Sequence, residues 1–131
     1  MKSFQGPGSP IEERISRESR QIIAGEIESA GGNEVFFLGI TDETGVVREV
    51  HAMARGNAGA VPAAAAIARA GNVVIHNHPN GILVPSGADV HVASNLGSEG
   101  VGFYVVDNMC ERVYAVVEPR VPAEPPDPLA P

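Results

Sequence analysis

The sequence predicts an α/β domain, and three observations carry that expectation. Short apolar runs rich in β-branched and aromatic residues, at 34–40, 72–75, 101–106 and 112–117, alternate with segments of helical periodicity. Clusters of Gly, Asn and Asp punctuate them, at 30–33, 42–45 and 107–108. The 131 residues are 44% hydrophobic and 19% charged, which is enough for one packed core and too apolar for wholesale disorder. Strands and helices interleaved around one sheet give three layers or close to it.

Taken in order, residues 1–9 read as a flexible leader, with Phe4-Gln5-Gly6-Pro7 similar to a protease-tag remnant. Ser9-Pro10-Ile11-Glu12 reads as a helix start: Ser9 caps, Pro10 suits the first helical position and Glu12 completes a capping box. The predicted helix covers 11–29, with Ile11, Ile15, Ile22, Ile23 and Ile27 on an apolar stripe and Arg14, Arg17, Glu18 and Arg20 off it. Gly31-Gly32 ends it. Glu34–Ile40 is a buried strand, Asp42–Gly45 a turn, and Val46–Met53 the hairpin partner. Val61-Pro62 opens an Ala-rich helix through Ala70, stopped by Gly71. Asn72–Ile75 is a central strand, His76–Pro85 a loop, and Ser86 starts a helix to Glu99. Strands at Val101–Val106 and Arg112–Val117 complete a domain spanning 10–117. The tail 118–131 holds six of the eleven prolines and reads as an extended linker.

Nine Lys and Arg against sixteen Asp and Glu leave a formal charge of −7. That balance argues against a freestanding protein that grips nucleic acid by neutralising phosphates, and against binding anionic membranes. The longest apolar runs, such as Ala63–Ala68, are far short of a membrane span, and the first residues lack the apolar block of a signal peptide, so a cytoplasmic location is the default expectation. A single cysteine, Cys110, excludes an intrachain disulfide, a Cys-rich zinc site and the zinc-deaminase pattern with its Cys pair. Any metal site must therefore come from Asp, Glu and the four histidines.

One segment is chemically informative: His76-Asn77-His78-Pro79, six residues, then Ser86-Gly87-Ala88-Asp89. Two histidines at i and i+2 at a strand end point the same way and can face one ion. Asp89 sits in the first turn of the following helix, within reach of the same point. Two imidazoles and a carboxylate suit tetrahedral Zn²⁺ with a fourth corner left for water, whose proton then comes off near neutral pH. A neighbouring Glu could take that proton and deliver it to a leaving amine. Ser86 could donate a hydrogen bond to a developing oxyanion. The same Ser86-x-x-Asp89 spacing is also a capping box, and both roles can hold together. His51 and His91 have no partner spacing and read as surface or satisfied histidines, Cys110 as an inert turn residue. The string His-Asn-His is not a nuclease signature, because those residues are spread through a ββα element.

At every fixed position this segment resembles the JAMM motif of JAB/MPN metalloproteases, His-x-His-Pro-x6-Ser-x2-Asp. Its wording is similar to the RadC-like branch, and the likeness extends more weakly over 34–117. The resemblance implies a single JAB/MPN-type domain, a mixed β-sheet flanked by helices and related to cytidine deaminases. It implies His76, His78 and Asp89 as zinc ligands, Ser86 as oxyanion donor and Glu34 as the acid/base, chosen over Glu26, Glu28 and Glu43 by its place opening an early strand. Two positions depart from the RadC-like pattern: Ala63 follows Val61-Pro62 where an Arg follows the Pro, and Val106-Asp107-Asn108 stands for Leu-Asp-His.

The expected activity is zinc-dependent hydrolysis of a peptide or isopeptide bond, on a peptide or protein substrate such as a ubiquitin-like tail. Two other classes compete. An accessory module of a larger DNA-repair or DNA-processing protein would meet nucleic acid only through a fused domain, such as a helicase. A non-catalytic scaffold would pair two protomers into a homodimer through the Ile-striped helix. Loops 52–60 and 79–85 are expected to shape the cleft.

Overall fold

The computed structural model describes residues 10–55 and 67–120. Five strands form one mixed sheet: β1 (Val35–Thr41), β2 (Val47–Arg55), β3 (Asn72–Asn77), β4 (Gly102–Val106) and β5 (Val113–Val117), in spatial order β2-β1-β3-β4-β5. Helix α1 (Arg17–Ser29) covers one face and α2 (Gly87–Ser98) the other. The expected α/β class is therefore found. β1 runs antiparallel to both β2 and β3, β3 and β4 are parallel, and β5 returns antiparallel to β4. A parallel pair needs a crossover, and α2 supplies it between β3 and β4.

Side chains alternate across the sheet, so each strand feeds two cores. Phe37, Val73, Ile75 and Tyr104 join Ile23 and Ile27 of α1. Phe36, Val74 and Phe103 join Ala93 and Leu96 of α2. The central strands are buried on both faces, which is why they read as continuous apolar runs rather than alternating ones. Among the described residues no helix is long and apolar enough to cross a membrane.

The turn at Asp42–Gly45 forms as expected. Asp42 Oδ1 accepts from the backbone N–H groups of Thr44 and Val46, its Oδ2 accepts from Arg48 Nε at 2.7 Å, and Gly45 takes φ +88°. Cys110 is buried beyond β4, where burial pushes its thiol up to about 12, in keeping with an inert thiol.

Three expectations about element boundaries are corrected. The helix predicted over 11–29 is not continuous: a single 3-10 turn at Ile11–Glu13 precedes a break, and α1 begins at Arg17 with Ser16 as its cap. The cause is tertiary. Val47 N–H donates to Arg14 O and Ser16 N–H to Val47 O, so this stretch bridges to β2 instead of coiling. Ile11, Ile15, Ile23 and Ile27 still reach the domain's own core, whereas Ile22 is 49% exposed. Second, His76 and Asn77 belong to β3, not to a loop, because His76 pairs across to Phe36 and Val105. Third, the described end of the Ala-rich segment, 68–70, is not helical; Asn72 Oδ1 takes the Arg69 N–H. Ile67 is helical, and the rest of that helix, 61–66, lies outside the described residues, as do 1–9, 56–60 and 121–131.

Arg14, read as an off-stripe charge, is fully buried, paired with Glu118 and set 5.8 Å over the Tyr104 ring. Glu118, assigned by sequence to the tail, thus packs on the domain, and Arg120 N–H donates to Gly100 O.

Two glycines give opposite expectations. A Cβ on Gly102 would stand 2.8 Å from Pro119 N, so Gly102→Ala forces backbone apart and should destabilise by about 2 kcal/mol or more. Gly25, mid-helix in α1, has open space, and Gly25→Ala should stabilise by about 1 kcal/mol. Urea unfolding of both variants checks the pair; equal signs would contradict the packing described.

Candidate metal centre

The site stands where β3 ends, on the face covered by α2. His76 and His78 are two residues apart on one extended segment, so both side chains project to that face. Asp89 arrives from α2, whose start is fixed by a complete capping box. Ser86 Oγ accepts from Asp89 N–H at 3.0 Å, and Asp89 Oδ2 accepts from Ser86 N–H at 2.9 Å. Capping therefore orients the carboxylate, and the capping reading of Ser86-x-x-Asp89 holds.

The carboxylate bridges the imidazoles. Asp89 Oδ1 lies 3.2 Å from His76 Nε2, and Asp89 Oδ2 lies 3.1 Å from His78 Nε2. Glu34, in the residue just before β1, brings Oε2 to 3.9 Å from His76 Nε2. One ligand atom each from Glu34, His76 and His78 lie within 4.8 Å of one another, a group able to hold a metal ion. Donor atoms 2.0–2.1 Å from a tetrahedral Zn²⁺ stand about 3.3 Å apart. Asp89 meets that separation with a different oxygen for each ring, Oδ1 for His76 and Oδ2 for His78, whereas it is Glu34 that completes the three-residue group.

Protonation adds a constraint. His78 Nδ1 is 2.8 Å from the carbonyl of Ile82, which only accepts, so Nδ1 carries the ring proton. The Nε2 of a neutral ring then presents a lone pair to Asp89 Oδ2. Two acceptors 3.1 Å apart are stable together only with a second proton or a cation between them.

His76 is more constrained still. It is fully buried, and its ring lies between Phe36 (centroids 4.9 Å apart, 3° between planes) and Phe103 (4.8 Å, 23°). Neither of its nitrogens has a hydrogen-bond partner: Asp89 Oδ1 is at ion-pair distance from Nε2 but off the direction a ring N–H requires. An unsatisfied buried polar group costs about 1–3 kcal/mol, and such groups persist where something else uses them. Metal-bound histidines ordinarily hand the remote N–H to an acceptor; His78 does so and His76 does not.

For Asp89, burial alone raises the carboxyl, but the neighbouring His76 ring and the Ser86 N–H outweigh it and hold the group well below its ordinary 3.8. It is thus an anion poised against two imidazoles.

All five residues singled out by sequence, Glu34, His76, His78, Ser86 and Asp89, gather at this one end of the sheet. His51 and His91 are exposed and are not part of that group, His51 pairing with Glu49. Of the loops expected to shape the cleft, 79–85 presents Ile82 and Val84 outward, while of 52–60 the residues 52–55 belong to β2 and 56–60 lie outside the described residues. Sequence reasoning missed Asn77, which is fully buried between the two histidines and hydrogen-bonded through both side-chain atoms. Its partners are more than thirty positions away, so only the polar residue in an apolar strand signalled it.

Neither family models nor curated proteins yield a match to this chain.

Two outcomes are expected of the metal-free protein. His76→Leu removes two orphaned nitrogens from between two phenyl rings, so in chelator it should melt at or above the parent while losing any zinc-dependent stabilisation. A lower melting temperature in chelator would show that the His76–Asp89 ion pair outweighs the cost of the orphaned nitrogens. The depressed Asp89 carboxyl contributes stability that is complete above about pH 4 and is lost as pH falls toward its folded value. Asp89→Asn should flatten that part of the acid limb of a stability–pH curve; an unchanged slope would contradict the assignment.

Proposed function

We propose that this domain is a zinc-dependent hydrolase of the JAMM type, with a JAB/MPN-type fold, acting on peptide or isopeptide bonds. The observation that carries the proposal is the Asp89 carboxylate spanning two imidazole nitrogens at 3.2 and 3.1 Å, an arrangement that suits a shared cation. The donor set fits zinc: two borderline nitrogens and one oxygen, with the orphaned Nε2 of His76 gaining the partner it otherwise lacks. The mixed sheet with a helix on each face and the motif's placement at its β3–α2 end support the finer fold reading.

His76, His78 and Asp89 would hold the ion. Bound there, Zn²⁺ supplies Lewis acidity that brings the pKa of water to about 7. Glu34, partly exposed beside His76, has a carboxylate free of a hydrogen bond to the capping box and able to accept a proton at Oε2 from an attacking water. It then returns that proton to the departing amine. Ser86 Oγ accepts from Asp89 N–H, which leaves its hydroxyl proton available to the oxyanion forming on the substrate carbonyl. The exposed Ile82 and Val84 give the adjoining loop an apolar outer surface.

Zinc titration followed by assay on peptide and lysine-isopeptide substrates tests this. The protein should take up one equivalent of Zn²⁺. Glu34→Gln should lower kcat by about 10²-fold or more while still taking up that equivalent. Ser86→Ala should lower kcat by about 10²-fold. Failure to bind zinc, or full activity in Glu34→Gln, would overturn the proposal.

A further inference from the structure

The β1–β3 ladder stops at the pair Phe36–His76, one residue short of Asn77. Past that point the crossing hydrogen bonds are made by a side chain. Asn77 Oδ1 accepts from Val35 N–H at 2.8 Å, and Asn77 Nδ2 donates to Asn33 O at 3.3 Å. These two backbone groups belong to the residues on either side of Glu34. The second Nδ2 proton goes to Asn108 Oδ1 at 2.7 Å, and Asn108 Nδ2 in turn donates to Gly32 O at 3.3 Å. On the other side of the strand, His78 N–H donates to Val106 O at 3.0 Å, which ties the histidine segment to β4.

From this we infer that Asn77 is a positioning residue for Glu34. One fully buried amide grips the backbone on both flanks of the carboxylate, while its own backbone carries His76 on one side and His78 on the other. Glu34 is thereby set by a single planar group against the two histidines, which pairing with the neighbouring strands holds independently. Without it, the segment 32–35 has no ladder partner on β3, and the Glu34 side chain loses its fixed distance to His76 Nε2. An asparagine fits this role because it offers an acceptor to an N–H and two donors to two oxygens; Asp would set a carboxylate against Asn33 O and Asn108 Oδ1. Groups that orient residues around a metal typically cost 10–100-fold in affinity or activity when removed.

The inference rests on the zinc-hydrolase reading, since it concerns a carboxylate held beside the ion. A double-mutant cycle read by Zn²⁺ affinity, in competition with a chromophoric chelator, tests it without an activity assay. Asn77→Ala should weaken Zn²⁺ binding by about 10-fold, and Glu34→Gln should weaken it as well. In the Glu34→Gln background, Asn77→Ala should have less than about a twofold further effect, because the group it positions is gone. Hydrogen exchange at the Val35 amide should accelerate in Asn77→Ala. Asn108→Ala, which leaves both contacts flanking Glu34, should fold and shift affinity in the same direction by less. Equal effects of Asn77→Ala in both backgrounds, or unchanged exchange at Val35, would overturn the positioning role while leaving the hydrolase reading standing. Absence of zinc binding by the parent protein would overturn both.

Discussion

A carboxylate facing two imidazoles at once is an expensive thing for a protein to build. Asp89 is partly buried, His76 is wholly buried, and the three polar groups meet where two Phe rings exclude water from one of them. Repulsion between lone pairs at His78 and Asp89 is relieved only by a positive charge, whether proton or metal ion. The surrounding architecture is consistent with holding that arrangement against its own electrostatics. The ladder fixes His76 between Phe36 and Val105, α2 begins at the one place where its capping acid meets both rings, and the Ile82 carbonyl settles the tautomer of His78.

This arrangement costs the fold stability. Burying an imidazole with two unsatisfied nitrogens costs the metal-free fold about 1–3 kcal/mol, a sizeable share of the 5–15 kcal/mol typical of a domain. An apolar side chain would pack better between Phe36 and Phe103. The two hydrophobic cores, one on each face of the sheet, tolerate the loss because β1, β3 and β4 are buried on both sides. The same economy shows in Ser86 and Asp89, whose mutual hydrogen bonds both start a helix and aim a carboxylate at two imidazoles.

The strands were legible because apolar runs bounded by Gly, Asn and Asp have few alternatives, and α2 because its capping box announces itself four residues wide. The motif at 76–89 was legible because its spacing converts directly into geometry: i and i+2 on a strand, then one helical turn. What stayed hidden depends on contacts distant in sequence. Nothing near Ile15 says that Val47 will claim its backbone, so the first helix was drawn too long. Arg14 looks like a solvated charge until Glu118, 104 positions later, is placed against it. His76 and Asn77 read as loop because polar residues at a strand end look like its exit; their cross-strand partners lie at 36 and 105 for His76, and at 33, 35 and 108 for the Asn77 side chain.

X-ray absorption of the zinc-loaded protein reads the central arrangement most directly. The account predicts a low-coordinate shell of nitrogen and oxygen donors at about 2.0–2.1 Å, with the multiple-scattering signature of two imidazoles. A shell with one imidazole or none, or protein that carries no zinc after loading and desalting, would contradict it.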